Sequence, residues 1–376
     1  MKTIGVGIIG AGRGGWAALG HIPALQVLPD YELRAISTTR QESADAAARE
    51  FGVPASFDNH RDLIAHPDVD LVVVAVKVAH HHSLVSEALA AGKAVYSEWP
   101  LGVGLKEAAD LTARARTAQA RTVIGLQARF APAVRHARDL VADGYVGKVL
   151  GTTLIGSGVA WVGETDRAHA YIYDQSSGAT TLSVPAMHAL EALNFVLGDF
   201  EEVSAHLVRG RTQVRIADEG TTIPVTAPDQ VSVTGTLHSG AAASVFYRGA
   251  YSRGDNLRWE IHGTDGDLVL TAPGINGNLQ VADLRLEGGR GTDDAVAPIE
   301  IPDRYFTTVP RGLAGPAHNV AQLYAALATD LRHGTDTVPG FDHALNRHRL
   351  LSAIEEASRT RAAGSVQRTA LVRSRW

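Results

Sequence analysis

The stretch Ile4–Trp16, IGVGIIGAGRGGW, constrains the fold most: an apolar run of strand character breaks into glycines and continues with helical spacing. Gly10, Gly12 and Gly15 stand in the order G-x-G-x-x-G. In a dinucleotide-binding turn the first glycine permits the tight bend, the second admits the backbone to a pyrophosphate, and the third lets the helix pack on the strand. The helix N-terminus then offers free N–H groups to phosphate, which adds Arg13, Gly14 and Trp16 to the expected cofactor contacts. An ordinary strand-turn-helix can carry the same glycines, so the rest of the chain must decide.

Beyond the turn, helix and strand patterns alternate. GGWAALGHIPALQVL has helical spacing, YELRAIS reads as a strand ending at Ser37, residues 41–52 as a helix, and Val69–Val76 as an apolar strand of the kind covered on both faces. SLVSEALAAG, KAVYSEWPLG, LKEAADLTARARTAQA and TVIGLQA continue the order helix, strand, helix, strand. The expectation is an α/β domain over residues 1–124, a doubly wound parallel sheet of Rossmann type that takes its ligand at the strands' carboxyl ends. Val76–His82, Ser97–Leu101 and Gln127–Phe130 are the segments at those ends.

From residue 125 the pattern changes. APAVRHARDLVADG reads as a helix, followed by alternating stretches VLGTTLIGSG, EEVSAHLVRGR, DQVSVTGTLHSGAAASVFYRG, NLRWEIHGTDGDLVLTA and NLQVADLRLEG. They predict an α+β domain over 125–376 built on a large open, mainly antiparallel sheet. A helix near HALEALNFVLG interrupts them, and HNVAQLYAALATDLRHG and DHALNRHRLLSAIEEASRTR close the chain as helices free to pack back on the first domain.

The chain's 376 residues, 45% of them hydrophobic, suffice for two cores. A formal charge of -5 without a basic run argues against nucleic acid or an anionic membrane as partner. No cysteine is present, so disulfides, thiolate nucleophiles and sulfur-ligated metals are excluded. No run approaches the roughly 20 apolar residues of a membrane span, and the first residues lack a secretory pattern, so a cytoplasmic location is expected. His80, His81 and His82 are consecutive and point in different directions, so no metal is expected.

Ser37, Thr38, Thr39 and Arg40 stand at the end of the second strand, near which NAD-binding units carry an acidic residue for the ribose 2′-hydroxyl. A carboxylate would repel a 2′-phosphate, whereas hydroxyls and a guanidinium bind one. The local chemistry favours NADP over NAD, the alternative being a polar loop with a solvated arginine.

In this order, IIGAGRGGW, ALAAGKAVYSEWPLG, LQARFAP, GYVGKV, IHGTDGDL and FDHALNRHRLLSAIEEAS resemble the glucose-fructose oxidoreductase / inositol dehydrogenase family over essentially the whole chain. GWAALGHIPAL, VAVKVAHHH, YSEWPLG, LQARFAP and YIYDQSSGATTLSVPAMHALE resemble more closely the branch of the yeast galactose-regulon repressor and its bacterial relatives. The resemblance implies a homo-oligomer, dimer or tetramer, paired through the open sheet. It also leaves two functions open: hydride transfer between nicotinamide and a carbohydrate or polyol-derived carbonyl, or NADP- or sugar-sensing without catalysis.

Family enzymes end a strand in Glu-Lys-Pro and place an aspartate four residues before a proton-exchanging histidine. This chain has Glu98, Trp99 and Pro100 at the first motif, and Val184 four before His188 at the second. The resemblance makes His188 the candidate acid or base, since imidazole titrates near neutrality. Lys77, where the family usually has proline, and Tyr173 are candidates to polarise the substrate oxygen. Lys77 could instead pair with Glu98, and Tyr171 and Tyr173 could instead fix a loop. Val76, His81, Glu98, Trp99 and Gln127 complete the expected cofactor contacts. Lys77, Trp99, Arg129, Tyr171, Tyr173 and His188 form the expected substrate site, with Arg129 more suited to orienting a loop or the cofactor than to chemistry.

Overall fold

A computed structural model describes residues 3–306, 309–313 and 315–360. The first sheet grows from β1 (Ile4–Ile9), which is buried from Gly5 onward. After the glycine turn come a short π-helical segment, Ala17–His21, and α1 (Ile22–Gln26). Next are β2 (Tyr31–Ser37), α2 (Gln41–Phe51), β3 (Ala55–Phe57), α3 (His60–Ala65) and β4 (Leu71–Val74). The half closes with α4 (His81–Ala90), β5 (Ala94–Glu98), α5 (Leu105–Ala118) and β6 (Thr122–Gly125). The strands are parallel, in the order β3-β2-β1-β4-β5-β6. Strand order therefore reverses between β1 and β4, which opens a crevice at their carboxyl ends.

The apolar run Val69–Val76 predicts one strand, but only Leu71–Val74 is in the ladder. Ala75 N–H still bonds Ile9 O at 3.0 Å, and Ala75 and Val76 then pass so close to Gly10 that a Cβ there would meet the Ala75 carbonyl oxygen at 2.4 Å and a Val76 methyl at 2.6 Å.

The second half begins with α6 (Pro132–Ala142), β7 (Val149–Gly158), β8 (Glu164–Thr165) and α7 (Met187–Leu197). It continues through β9 (Phe200–Val208), β10 (Gln213–Ile216), β11 (Thr221–Pro224), β12 (Gln230–Leu237) and β13 (Ala242–Gly249). It ends with β14 (Arg258–Gly263), β15 (Gly266–Thr271), β16 (Arg285–Arg290), β17 (Ala297–Pro298), α8 (Pro316–His333) and α9 (Phe341–Thr360). Arg361, included in the helix expected at the end, lies outside the described residues.

The large sheet has the order β17-β16-β15-β14-β7-β13-β12-β9, antiparallel except where β7 and β13 run parallel. A separate small sheet, β11-β10-β8, is an element the alternation did not predict. NLQVADLRLEG is a strand only at its end. Its start is a turn, because the Asn276 side chain takes the Asn278 N–H and the Asn278 carbonyl takes those of Val281 and Ala282. The last helices connect the halves: α8 packs Val320, Leu323, Tyr324 and Leu327 into the core around β1, while α9 lies against both α5 and β9.

Proline shapes both π-helical segments. A helical proline lacks the N–H that would bond four residues back, and its ring clashes with that carbonyl. Before Pro23 the chain widens so that Ile22 N–H reaches Ala17 O, and around Pro185 the segment Leu182–Ala186 widens so that Ala186 N–H reaches Thr181 O at 3.1 Å. The second widened turn delivers the chain to His188.

Candidate functional site

The glycine turn is built as a cradle. Gly10 and Gly14 have φ of 97° and 72°, a region that disfavours side chains, and an added Cβ on Gly12 would meet nothing within 4 Å. The N–H groups of Gly10 and Ala11 both reach the Ser37 carbonyl, which fixes the turn to the end of β2. Gly15 does not serve helix-strand packing: its nearest neighbours are the carbonyls of Gly12 and Gly10, and its N–H bonds Gly12 O at 3.1 Å. Two buried polar atoms near these strand ends, Trp16 Nε1 and Gln127 Oε1, have no partner. Open space at Gly12 and these two unused groups fit a bound dinucleotide.

At the end of β2, Thr38 Oγ1 donates to Arg40 O or shares its proton with Ser43 Oγ at 2.6 Å. Arg40 is exposed and forms no ion pair among the described residues. Arg13 is bound instead to Glu50 across the turn, which draws its guanidinium toward α2.

The strand ends of β4 and β5 are tied together by His81, whose Nδ1 lies 2.8 Å from Pro100 O and Nε2 3.0 Å from Val76 O. Burial lowers the pKa of His81, and a neutral ring has one N–H, so it donates to one of these carbonyls while both contacts seat it between the two loops. His82 turns to Asp110 at 2.7 Å and His80 to the exterior, so the three histidines diverge. Glu98 accepts from His21 Nε2 at 3.0 Å, and His21 Nδ1 meets Tyr324 Oη at 2.8 Å. This buried line reaches from the site to α8. Sequence reasoning missed it, because His21 sits on an apolar helix face with no local sign of a polar partner.

The sequence reading sets Trp99 against nicotinamide or sugar, and the structure turns it elsewhere. Its indole is 4% exposed, its N–H donates to Ser183 O at 2.6 Å, and its ring lies 4.6 Å from that of His348. The side chain thus points into the junction between the two halves. Sequence reasoning also missed His348; both its ring nitrogens are buried without a partner, and burial holds its pKa down to about 4.

His188 is almost fully buried, and its Nδ1 has no hydrogen-bond partner. Burial lowers its pKa to about 4 against the opposing pull of Glu98 and Glu191, so the ring is neutral at neutral pH. A neutral imidazole can accept a proton; Val184, four residues before it, can neither orient nor charge it.

Lys77 does not pair with Glu98. Its ammonium lies 4.6 Å from the centre of the Tyr171 ring, so these two candidates come together. Tyr173 takes the other role considered for it: its hydroxyl lies 2.8 Å from Val162 O and 3.1 Å from Ala160 O, clasping that loop in a cluster with Trp161 and Val225. Burial pushes its pKa up to about 12, which further removes it from proton transfer. Arg129 is 3.2 Å from the buried Glu191 and stacks on Phe195, so it orients α7 rather than a substrate.

Residues 4–126 match a family described as oxidoreductases with an NAD-binding Rossmann fold, and residues 132–272 match the C-terminal domain of Gal80p. The dehydrogenase aclE of Aspergillus oryzae is 31% identical over 65% of this chain and 69% of its own length. The galactose/lactose metabolism regulatory protein GAL80 of Saccharomyces cerevisiae is 25% identical over 94% of this chain and 92% of its own. A super-repressor mutant of that yeast protein superposes with a TM-score of 0.84 at 23% identity, covering 95% of this chain and 96% of that one. Levoglucosan dehydrogenase in complex with NADH and L-sorbose does so with a TM-score of 0.80 at 21% identity, covering 95% and 97%. No helix among the described residues is long and apolar enough to cross a membrane. Together, the Rossmann half with its open glycine cradle, the mainly antiparallel sheet behind it, and these likenesses establish that the chain belongs to the glucose-fructose oxidoreductase / inositol dehydrogenase family of NAD-binding oxidoreductases.

Proposed function

We propose that this protein is an NADP-dependent oxidoreductase acting on a carbohydrate or polyol-derived hydroxyl or carbonyl. The observation that carries the reading is His188: a buried, neutral imidazole with a free Nδ1, within the field of Glu98 and Glu191. A buried polar atom without a partner is costly in a resting structure and useful where a substrate hydroxyl supplies the partner. When bound, the nicotinamide supplies hydride transfer. The chain's own residues do the rest. Gly10, Gly12 and Gly14 admit the dinucleotide backbone, Gln127 offers an amide at the strand ends, and Thr38 and Arg40 receive a 2′-phosphate. His188 takes the proton of the substrate hydroxyl, and Lys77, held over Tyr171, polarises the same oxygen.

The likeness to aclE supports catalysis, and the sugar named with levoglucosan dehydrogenase supports the substrate class. The exposed Leu150, Val208 and Phe246 of the open sheet support pairing with a second copy. The test is a screen for NADP reduction over sugars and polyols, and for NADPH oxidation over their oxidised forms. Turnover with one member of the set is the expected result; tight NADP binding with no turnover across the set overturns it.

A second reading is favoured by one observation: Trp99, in the family's lysine position, is turned inward and bonded to Ser183, and Val184 replaces the aspartate. A regulator that senses NADP or a sugar needs neither group, and the likeness to GAL80 spans nearly the whole chain. The same screen decides between the two.

A further inference from the structure

The cleft between α6, α7 and α9 gathers more cations than its carboxylates balance. Arg129, Arg138, His343 and Arg347 surround a space of about 310 Å³ that also holds Glu191 and Asp199. Apart from Arg129, which is turned to Glu191, none of the residues expected at the dinucleotide or the substrate borders it. Glu191 is fully engaged: its oxygens lie 2.9 Å from His343 Nε2, 3.2 Å from Arg129 Nη1 and 3.6 Å from Arg347 Nε. Asp199 accepts from Arg347 Nη2 at 2.6 Å and from Asn194 Nδ2 at 3.0 Å.

One guanidinium is left without a carboxylate, and another, though paired, keeps an unused donor. Arg347 is 4% exposed, and its Nη1 is buried with no acceptor. Arg138 has no carboxylate partner among the described residues; its guanidinium lies 4.6 Å from the centre of the Phe195 ring, which also carries Arg129 at 4.3 Å. A buried guanidinium donor without an acceptor is unfavourable, and guanidinia crowded on one ring repel each other. An oxyanion relieves both, because its oxygens accept from the planar fork of an arginine in pairs. Three arginines against two carboxylates leave the cleft one positive charge in excess, and free donors on two guanidinia suit the several oxygens of a phosphate.

We propose that this cleft is a binding site for a compact oxyanion, a phosphate group in particular, held by Arg347 at its floor and Arg138 at its mouth. The ligand is free phosphate or the phosphate of a small metabolite. The site stands on α7 one turn beyond His188, through Glu191, but its occupancy does not require the protein to be catalytic.

The test is calorimetric titration of the full chain with inorganic phosphate, and separately with a sugar 6-phosphate, at constant ionic strength and with NADP present to fill the glycine turn. The expected result is saturable binding of phosphate, tighter for the sugar phosphate if a metabolite is the natural source. Arg138→Gln removes a mouth cation, and Asn346→Asp adds a negative charge at the exposed rim; each should weaken binding by about tenfold or more. Both positions are exposed, so circular dichroism and melting temperature should match the parent protein. No saturable binding by the parent protein, or binding unchanged in both variants, overturns the proposal.

Discussion

The indole N–H of Trp99 donates to the backbone carbonyl of Ser183 at 2.6 Å, joining the end of β5 to the widened turn that leads into His188. The residue in the place of the family's lysine therefore braces the segment that sets the position of the candidate base. Trp99→Phe keeps most of the ring and loses the donor, so it should lower stability by about 1–3 kcal/mol. Urea denaturation read by far-UV circular dichroism measures it. A midpoint equal to that of the parent protein would mean that the bond carries no net stability.

His188→Ala should reduce turnover by about two to four orders of magnitude while NADP affinity stays the same. Because burial holds His188 at about pH 4, the base form persists well below neutrality. In the oxidation direction kcat/KM should stay level from neutral pH down to about pH 5 and fall as the ring protonates near pH 4. A break near pH 6.5, roughly the ordinary imidazole value, would place the proton acceptor elsewhere.

The same burial links folding to acid. His188 and His348 titrate at about 4 in the folded chain and near 6.5 when unfolded, so the unfolded state takes up more protons between these values. Their stabilising contribution is complete above about pH 6.5 and is lost as pH falls toward 4. Denaturation midpoints should decline over that window and recover part of the loss in His348→Gln. An equal decline in that variant would assign the acid sensitivity to other groups.

Arg40 is the N-cap of α2 without a side-chain bond to the helix. Arg40→Asp removes the cation offered to a 2′-phosphate and adds a good capping side chain. NADP affinity should fall about tenfold or more, NAD affinity should hold or rise, and the melting temperature should not drop. Equal affinities for both dinucleotides in both proteins would leave Arg40 out of cofactor choice.

Asp330 is buried at the end of α8, where it accepts from Arg121, Thr335, Thr337 and Val338 and so fixes the turn toward α9. Burial alone would raise its pKa, but the donors from Thr335, Val338 and Thr337 hold it down to about 2. Its contribution is therefore complete above the ordinary carboxylate range and is lost as pH falls from about 4 to about 2. Asp330→Ala should cost about 3–5 kcal/mol at neutral pH, since it removes at once the acceptor of the Thr337 and Val338 N–H groups and of the Thr335 and Thr337 hydroxyls, although Arg121 keeps Asp336. Differential scanning calorimetry checks it.

The strand-helix alternation of the first half is legible because a parallel strand covered on both faces must be apolar throughout, as Leu71–Val74 is. The glycine turn is legible because positive φ at Gly10 and Gly14 leaves few alternatives to glycine. The small sheet of β8, β10 and β11 is not, since strands of two to four residues carry too little periodicity. The candidate site is readable only as a set of residue types. Ser37–Arg40 can be named from their place at the end of the second strand and His188 from the family resemblance, whereas the orientation of Trp99, the seat of His81 between two loops and the clasp made by Tyr173 cannot.

By itself, the sequence determined the two-part architecture and the absence of the family's lysine and aspartate, and it pointed to the carboxyl strand ends as the candidate site. These rest on local chemistry: hydrophobic period, glycine at forced dihedrals, and the identity of one side chain at one position. Tertiary structure alone decided which polar groups are already satisfied. The partners of Trp99, His21 and Arg129 lie 84, 77 and 62 residues away, so these contacts exist only once distant segments have packed, within one half for His21 and Arg129 and across the two halves for Trp99. His188 and Arg347 keep free nitrogen atoms because packing buries both and sets no protein acceptor or donor against those atoms.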